Sequence, residues 1–203
     1  MLSEIVQPHL TVIFVGTVVT ELSDTLGFYH LHPRDRFWEL LAMGAITPGR
    51  VITAEESKAL TEGHRSGNLT DPVRSFFIQK KMGQLLRLGI GMTDLNRRVL
   101  VASEKDPDVT PTDEDIRSFL NRVDELRPKI LAFVTAADVF VDSFKGAYPG
   151  VTGTLGHQTC TIGGVEVWLL GSTSARPRGE ALALQEDAFF LLGERIEELT
   201  RGS

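Results

Sequence analysis

Thr11-Val12-Ile13-Phe14-Val15-Gly16 is the stretch that decides the fold class. It is a short apolar, β-branched run that stops at a glycine. Such a run reads as a strand buried on both faces, the kind found inside parallel sheets. Ile130-Leu131-Ala132-Phe133-Val134 is a second strand of the same type.

Working outward from these two runs, the pattern changes to a helical period. Phe37, Trp38, Leu40 and Leu41 share one helical face. Val73, Phe76, Phe77, Leu85 and Leu86, with Lys80 and Lys81 between them, predict a further helix. Thr112 with Asp115 three residues on forms a capping box, and Ile116, Phe119, Leu120, Val123 and Leu126 keep the period until Pro128. Residues 136–144 give another helix, and a last one runs from about Glu180 to Leu199. Gly163-Gly164, flanked by Thr159–Ile162 and Val165–Leu170, signals a hairpin. Strands that alternate with helices predict an α/β domain with a mainly parallel sheet. Residues 47–72 are polar and read as a surface loop, and Val99-Leu100-Val101 reads as a short strand or a loop. Ligands of such sheets bind beyond the carboxyl ends of the strands, here the loops after Val15, Val134 and Leu170.

The composition fits a single domain over residues 1–203, with 42% apolar residues and a net charge of −6. That charge does not favour phosphate binding, but the cations come in local groups: Arg34/Arg36, Lys80/Lys81, Arg97/Arg98 and Arg176/Arg178. The single cysteine, Cys160, excludes an intramolecular disulfide and reads as an inert buried thiol. With no apolar run near the ~20 residues of a membrane span and no signal-like N-terminus, a soluble cytoplasmic protein is expected. No Cys/His cluster has ligand spacing, so neither metal nor cofactor is expected.

The loop segments carry a resemblance. Val12-Ile13-Phe14-Val15-Gly16, followed by Gly27-Phe28-Tyr29-His30-Leu31-His32-Pro33-Arg34-Asp35-Arg36-Phe37-Trp38, is similar to the first motif region of the mismatch-specific uracil-DNA and thymine-DNA glycosylases. Gly91-Met92-Thr93-Asp94-Leu95 resembles their Gly-x-Thr block. His157-Gln158-Thr159, Ile162-Gly163 and Val167-Trp168-Leu169-Leu170 resemble the penultimate strands, and Ser172-Thr173-Ser174-Ala175-Arg176 resembles the second motif. The likeness spans roughly residues 10–180 in the right order. It implies a three-layer αβα sandwich of the uracil-DNA glycosylase superfamily. There are two large departures: residues 55–85 are longer than the matching family stretch and read as an extended mobile segment, and the first-motif loop differs. The family's Gly-x-Asn-Pro-Gly loop is here Gly16-Thr17-Val18-Val19-Thr20, so the catalytic Asn is replaced by Val18.

The activity implied is base excision repair. A monofunctional glycosylase flips uracil, or a related deaminated base, out of single- or double-stranded DNA and hydrolyses its N-glycosidic bond. The partner is DNA carrying uracil or a mismatch, and a monomer is expected. Asp94 is the first choice for the water-positioning carboxylate, ahead of Thr17, Glu21 and Asp24; capping a turn or pairing with Arg97 or Arg98 is the structural alternative. The stacking platform comes from Phe28, Tyr29 and His30, and the family's stacking aromatic falls on His30, which can also donate to a carbonyl oxygen gaining charge. In the alternative, Phe28 is core and His30 a surface loop residue. His32 takes a structural role before Pro33. Gly16, Thr17 and Val18 line the base pocket, and Gly16 and Gly27 allow φ > 0 or close backbone approach. Arg176 is the wedge, Ser172 and Ser174 bind flanking phosphates, and Arg178, Lys80 and Lys81 track the backbone. Two other readings stay open: a non-catalytic damaged-DNA binder on the same fold, and a small nucleotide-binding α/β protein.

Overall fold

A computed structural model of the chain describes residues 1–102, 109–173 and 177–202. In chain order the elements are β1 (Val12–Thr20), α1 (Glu21–Leu26), α2 (Phe37–Met43), α3 (Ala54–Arg65), α4 (Asp71–Arg87), β2 (Ile90–Val101), α5 (Asp113–Leu126), β3 (Ile130–Phe133), α6 (Ala137–Phe144), β4 (Gly156–Ile162), β5 (Val165–Leu169) and α7 (Glu180–Arg201). The five strands form one sheet in the order β2-β1-β3-β5-β4. All pairings are parallel except the β4–β5 hairpin, whose turn places Gly163 and Gly164 at φ 59° and 78°.

Successive side chains of a strand point to opposite faces, and here each face meets a helical layer. Val12, Phe14, Ile90, Met92, Ile130 and Ala132 pack with the residues of α2 and α7 on one side. Ile13, Val15, Leu131, Phe133 and Val167 pack with α5 and α6 on the other. The fold is therefore an α/β three-layer sandwich, and the unbroken apolar runs follow from burial on both faces.

Three expectations change. β1 does not stop at Gly16 but runs to Thr20, because β2 extends beside it, with a bulge between Val18 and Val19. The Val99–Val101 run is the end of β2, not a separate strand or loop. The polar stretch 47–72 holds α3, which is opened by a complete capping box between Thr53 and Glu56. Only Ser57, Leu60 and Thr61 of α3 are buried, so its apolar stripe is too narrow to register as a period. Two helices, α3 and α4, thus occupy the 55–85 segment, and they are pinned together. Buried Lys81 donates to Glu56 (2.8 Å) and to the carbonyl of Val51, which removes it from any role on a DNA backbone.

On the outer side of β2 the N-terminal segment adds an isolated antiparallel bridge, Ile5 to Met92. No helix among the described residues is long and apolar enough to cross a membrane.

Candidate active site at the carboxyl ends of the strands

The parallel register sets Gly16 of β1 directly beside Asp94 of β2. A Cβ at position 16 would lie 2.3 Å from Oδ1 of Asp94. Space for this carboxylate, not a positive φ, is therefore why residue 16 is glycine. Gly27 is the one with a left-handed backbone (φ 77°), as the C-cap of α1.

Asp94 is a strand residue. It caps no turn and pairs with neither Arg97 nor Arg98. Its Oδ2 is buried with no hydrogen-bond partner among the described residues. Leaving such a group unpaired costs at least about 1–3 kcal/mol, and more when it is charged. Burial pushes the Asp94 carboxyl up to about 6, against the pull of His30, Arg97 and Arg122 and with the repulsion of Glu4. Around it, Arg97 donates to the Tyr29 hydroxyl (3.2 Å) and to the carbonyl of Leu2 (2.7 Å). Arg122 donates to the backbone carbonyl of Asp94 (3.2 Å) and faces Glu4 at 3.3 Å, while Thr93 donates to Glu4. Burial first, and the Asp94 charge next, raise the Tyr29 hydroxyl far above its ordinary range, so it stays protonated.

His30 sits on the loop between α1 and α2 in a left-handed conformation, φ 52°, which is uncommon outside glycine. Its ring stacks on that of Phe37, with centroids 4.0 Å apart and planes 17° from parallel. Nδ1 lies 2.8 Å from Oδ2 of Asp35, whose other oxygen accepts from the Phe37 amide at 2.9 Å. Burial works to raise the Asp35 carboxyl, but His30, Thr173 and the Phe37 amide together hold it below its ordinary value. Thr173 belongs to the loop after β5. Its carbonyl accepts from the Arg36 amide (3.2 Å), and Gln185 of α7 fixes that loop through the carbonyls of Leu170 and Ser172. Two motif segments about 140 residues apart in sequence are joined in this way.

Thr17, inside β1, bonds Thr135 just beyond the carboxyl end of β3, at 2.5 Å. These adjacent strands have connections leading to opposite sides, the switch point where such sheets bind ligands.

Outward from His30 opens a cleft of about 470 Å³, lined by His32, Arg34, Arg50, Thr53 and Arg178 among others. Arg36 and Arg50 in its wall are paired with Glu39, and Arg36 also with Glu186. Arg34 and Arg178 are exposed and make no ion pair with the described residues. His32 holds the turn by accepting from the Arg34 amide (3.1 Å), the structural role its position before Pro33 suggests.

The structure thus groups Gly16, Thr17, Tyr29, His30 and Asp94, and places Arg178 and Ser172 at the same end of the sheet. Two pocket assignments change. Phe28 is fully buried between Trp38 and Phe77 and is a core residue. Val18 packs in a small cluster with Val101 and Val109. Of the weaker substitutes for Asp94, Asp24 is paired with the N-terminal amine (3.1 Å) and Glu21 is exposed at the start of α1. Ser174 and Arg176, the expected phosphate ligand and wedge, lie outside the described residues. Cys160 is half-buried rather than buried, and burial raises its thiol. Sequence reasoning missed Asp35, Thr173, Thr135 and Glu4 as members of the site. The one signal for Asp35 was its place in the loop that also carries His30. A scan of the chain against models of known protein families finds no match.

Proposed function

We propose that this chain is a monofunctional DNA glycosylase that flips uracil, or a related deaminated base, out of DNA and hydrolyses its N-glycosidic bond. The single observation that carries the reading is Asp94: a buried carboxylate with an unpartnered oxygen among the described residues, midway along β2 beside Gly16 and one step past the level where β3 ends, within electrostatic reach of His30. Orphaned, up-shifted carboxylates cluster at functional sites because the chemistry there needs them.

In this reading water attacks the sugar carbon, and the carbon–nitrogen bond breaks with its electron pair leaving on the base. Asp94 orients the water, accepts its proton and offsets the positive charge that develops on the sugar. The rigid stack of His30 on Phe37 gives the flipped base a fixed neighbour. Arg34 and Arg178 supply cations for the flanking phosphates. The test is base release from a uracil-containing oligonucleotide, single-stranded and opposite guanine, by wild type and Asp94→Ala. Release by the wild type alone supports the reading; equal release by both removes Asp94 from it.

A second reading, a damaged-DNA binder without catalysis, is favoured by Val18. Where the similar glycosylases carry their catalytic Asn, this chain has a valine buried in an apolar cluster. Tight binding of uracil DNA with no base released by the wild type would establish it.

A further inference from the structure

Arg97 and Arg122 both stand near Asp94, yet neither forms an ion pair with its carboxylate among the described residues. The N-terminal segment accounts for this. Its bridge from Ile5 to Met92 is antiparallel, with both amide–carbonyl bonds made (3.0 and 2.8 Å), so Glu4 falls opposite Thr93, the neighbour of Asp94. Thr93 donates its hydroxyl to Oε1 of Glu4. The same oxygen faces Nε of Arg122 at 3.3 Å and Nε of Arg97 at 3.8 Å. Nε of Arg122 is buried with no hydrogen-bond partner among the described residues, so the charge of Glu4 is what compensates it. Arg122 also donates to the backbone carbonyl of Asp94 (3.2 Å), which puts its guanidinium beside that residue while its charge is directed to Glu4.

A guanidinium that loses its partner in a buried site turns to the nearest remaining carboxylate. An opposite charge within about 4–6 Å lowers an Asp by about 1–3 pH units, and a carboxylate so paired is a poorer proton acceptor. We propose that Glu4 is a positioning residue of the site: by engaging Arg97 and Arg122 it keeps both guanidiniums off the Asp94 carboxylate, which is left able to orient water and accept its proton. The part played in water activation rests on the glycosylase reading; the diversion of the two arginines does not.

The charged and titratable groups facing Asp94 are Glu4 from the N-terminal segment, Tyr29 and His30 from the loop between α1 and α2, Arg97 on β2 itself and Arg122 on α5. Burial raises the Asp94 carboxyl most; the three basic groups pull it down and Glu4 pushes it up. Removing Glu4 therefore ends a plain repulsion as well as the diversion, and a double-variant cycle separates the two.

Glu4→Gln keeps an oxygen for Thr93 and removes the charge. The Asp94 titration, followed by carboxyl-carbon NMR of the whole chain and assigned with Asp94→Asn, should drop from about 6 by about 1–3 pH units. Arg122→Gln should raise the midpoint slightly in the wild type and several times as much in the Glu4→Gln background, where the guanidinium has turned to Asp94. Equal rises in the two backgrounds mean simple repulsion and overturn the proposal, as does an unmoved midpoint in Glu4→Gln. Should Arg122→Gln fail to fold, Arg97→Gln completes the same cycle. On uracil DNA at about pH 7.5, Glu4→Gln should release base about 10-fold more slowly, with the acidic limb of the pH–rate profile displaced to lower pH. A slower rate with an unmoved limb would reduce Glu4 to a structural anchor. If the wild type releases no base, the glycosylase reading fails, and the NMR cycle alone decides whether Glu4 diverts the arginines.

Discussion

Asp94 and Asp115 are equally buried, at 5% and 3% exposure, and both lie against β2, yet they are opposite in kind. Asp115 is satisfied on every side. Arg98 grips it through two nitrogens, at 2.6 and 2.9 Å, and Thr112 closes the capping box of α5 on it. The Arg98 contacts and the Thr112 hydrogen bonds outweigh burial and pull its carboxyl down to about 2. Asp94, four residues before Arg98 on the same strand, has the neighbouring guanidiniums turned to other acceptors and is pushed up to about 6. Burial alone therefore says little about a carboxylate; what its neighbours are already bonded to says more. One of the two builds the fold, and the other is tolerated by it.

The largest effect that would break this contrast is on chemistry. Asp94→Asn should lower base release by about 10²–10⁴-fold, and wild-type release should fade as pH drops through about 6, where the carboxylate takes up a proton. Steady-state rates across pH 5–8 check both. If Asp94→Asn keeps the wild-type rate, the carboxylate is merely an ill-placed acid.

Stability should move the other way. A folded-state value raised above the unfolded one means that stability is present below about pH 4 and lost as pH rises towards 6. Replacing Asp94 by Asn should thus stabilise the protein by on the order of 2 kcal/mol at pH 7.5 and by little at pH 4. Asp115 has the reverse sign: its contribution is present above about pH 4 and lost as pH falls towards 2. Asp115→Asn should cost about 1–2 kcal/mol at neutral pH, reduced from the full ion-pair value because Arg98 is half exposed, and should leave base release unchanged. Denaturant titrations at three pH values separate the two cases.

A double-mutant cycle sharpens the same point. Gly16→Ala alone should cost about 1–3 kcal/mol through collision with the Asp94 carboxylate. In an Asp94→Ala background the next nearest atom of consequence is 3.8 Å away, and the cost should nearly vanish. The smallest effect concerns the cleft. Arg34→Ala with Arg178→Ala should weaken oligonucleotide binding several-fold and lower the salt slope by about 2, read by fluorescence anisotropy.

The fold was legible because β1 up to Val15 and all of β3 are apolar at every position, which two-sided burial explains. What the pattern hid has physical causes. α3 buries almost nothing apolar, and β1 past Gly16 is held by its neighbour rather than by its own composition. At the site, Asp94 and His30 were singled out by the resemblance of the segments that carry them. Asp35, Thr173 and Thr135 did not, because their meaning lies in contacts made across the chain. Val18 and Phe28 were assigned by alignment to a loop, but a continued strand and a closed aromatic cluster claim them.

The bridge between Ile5 and Met92 has a consequence for the protein in bulk. β2 is an edge strand twelve residues long, and an uncovered edge of that length is a template for another molecule's backbone. The first residues of the chain guard part of it. Clipped after Ile5, the protein would lose the bridge together with the core residues Leu2 and Ile5, and would cloud at concentrations where the intact chain stays dispersed.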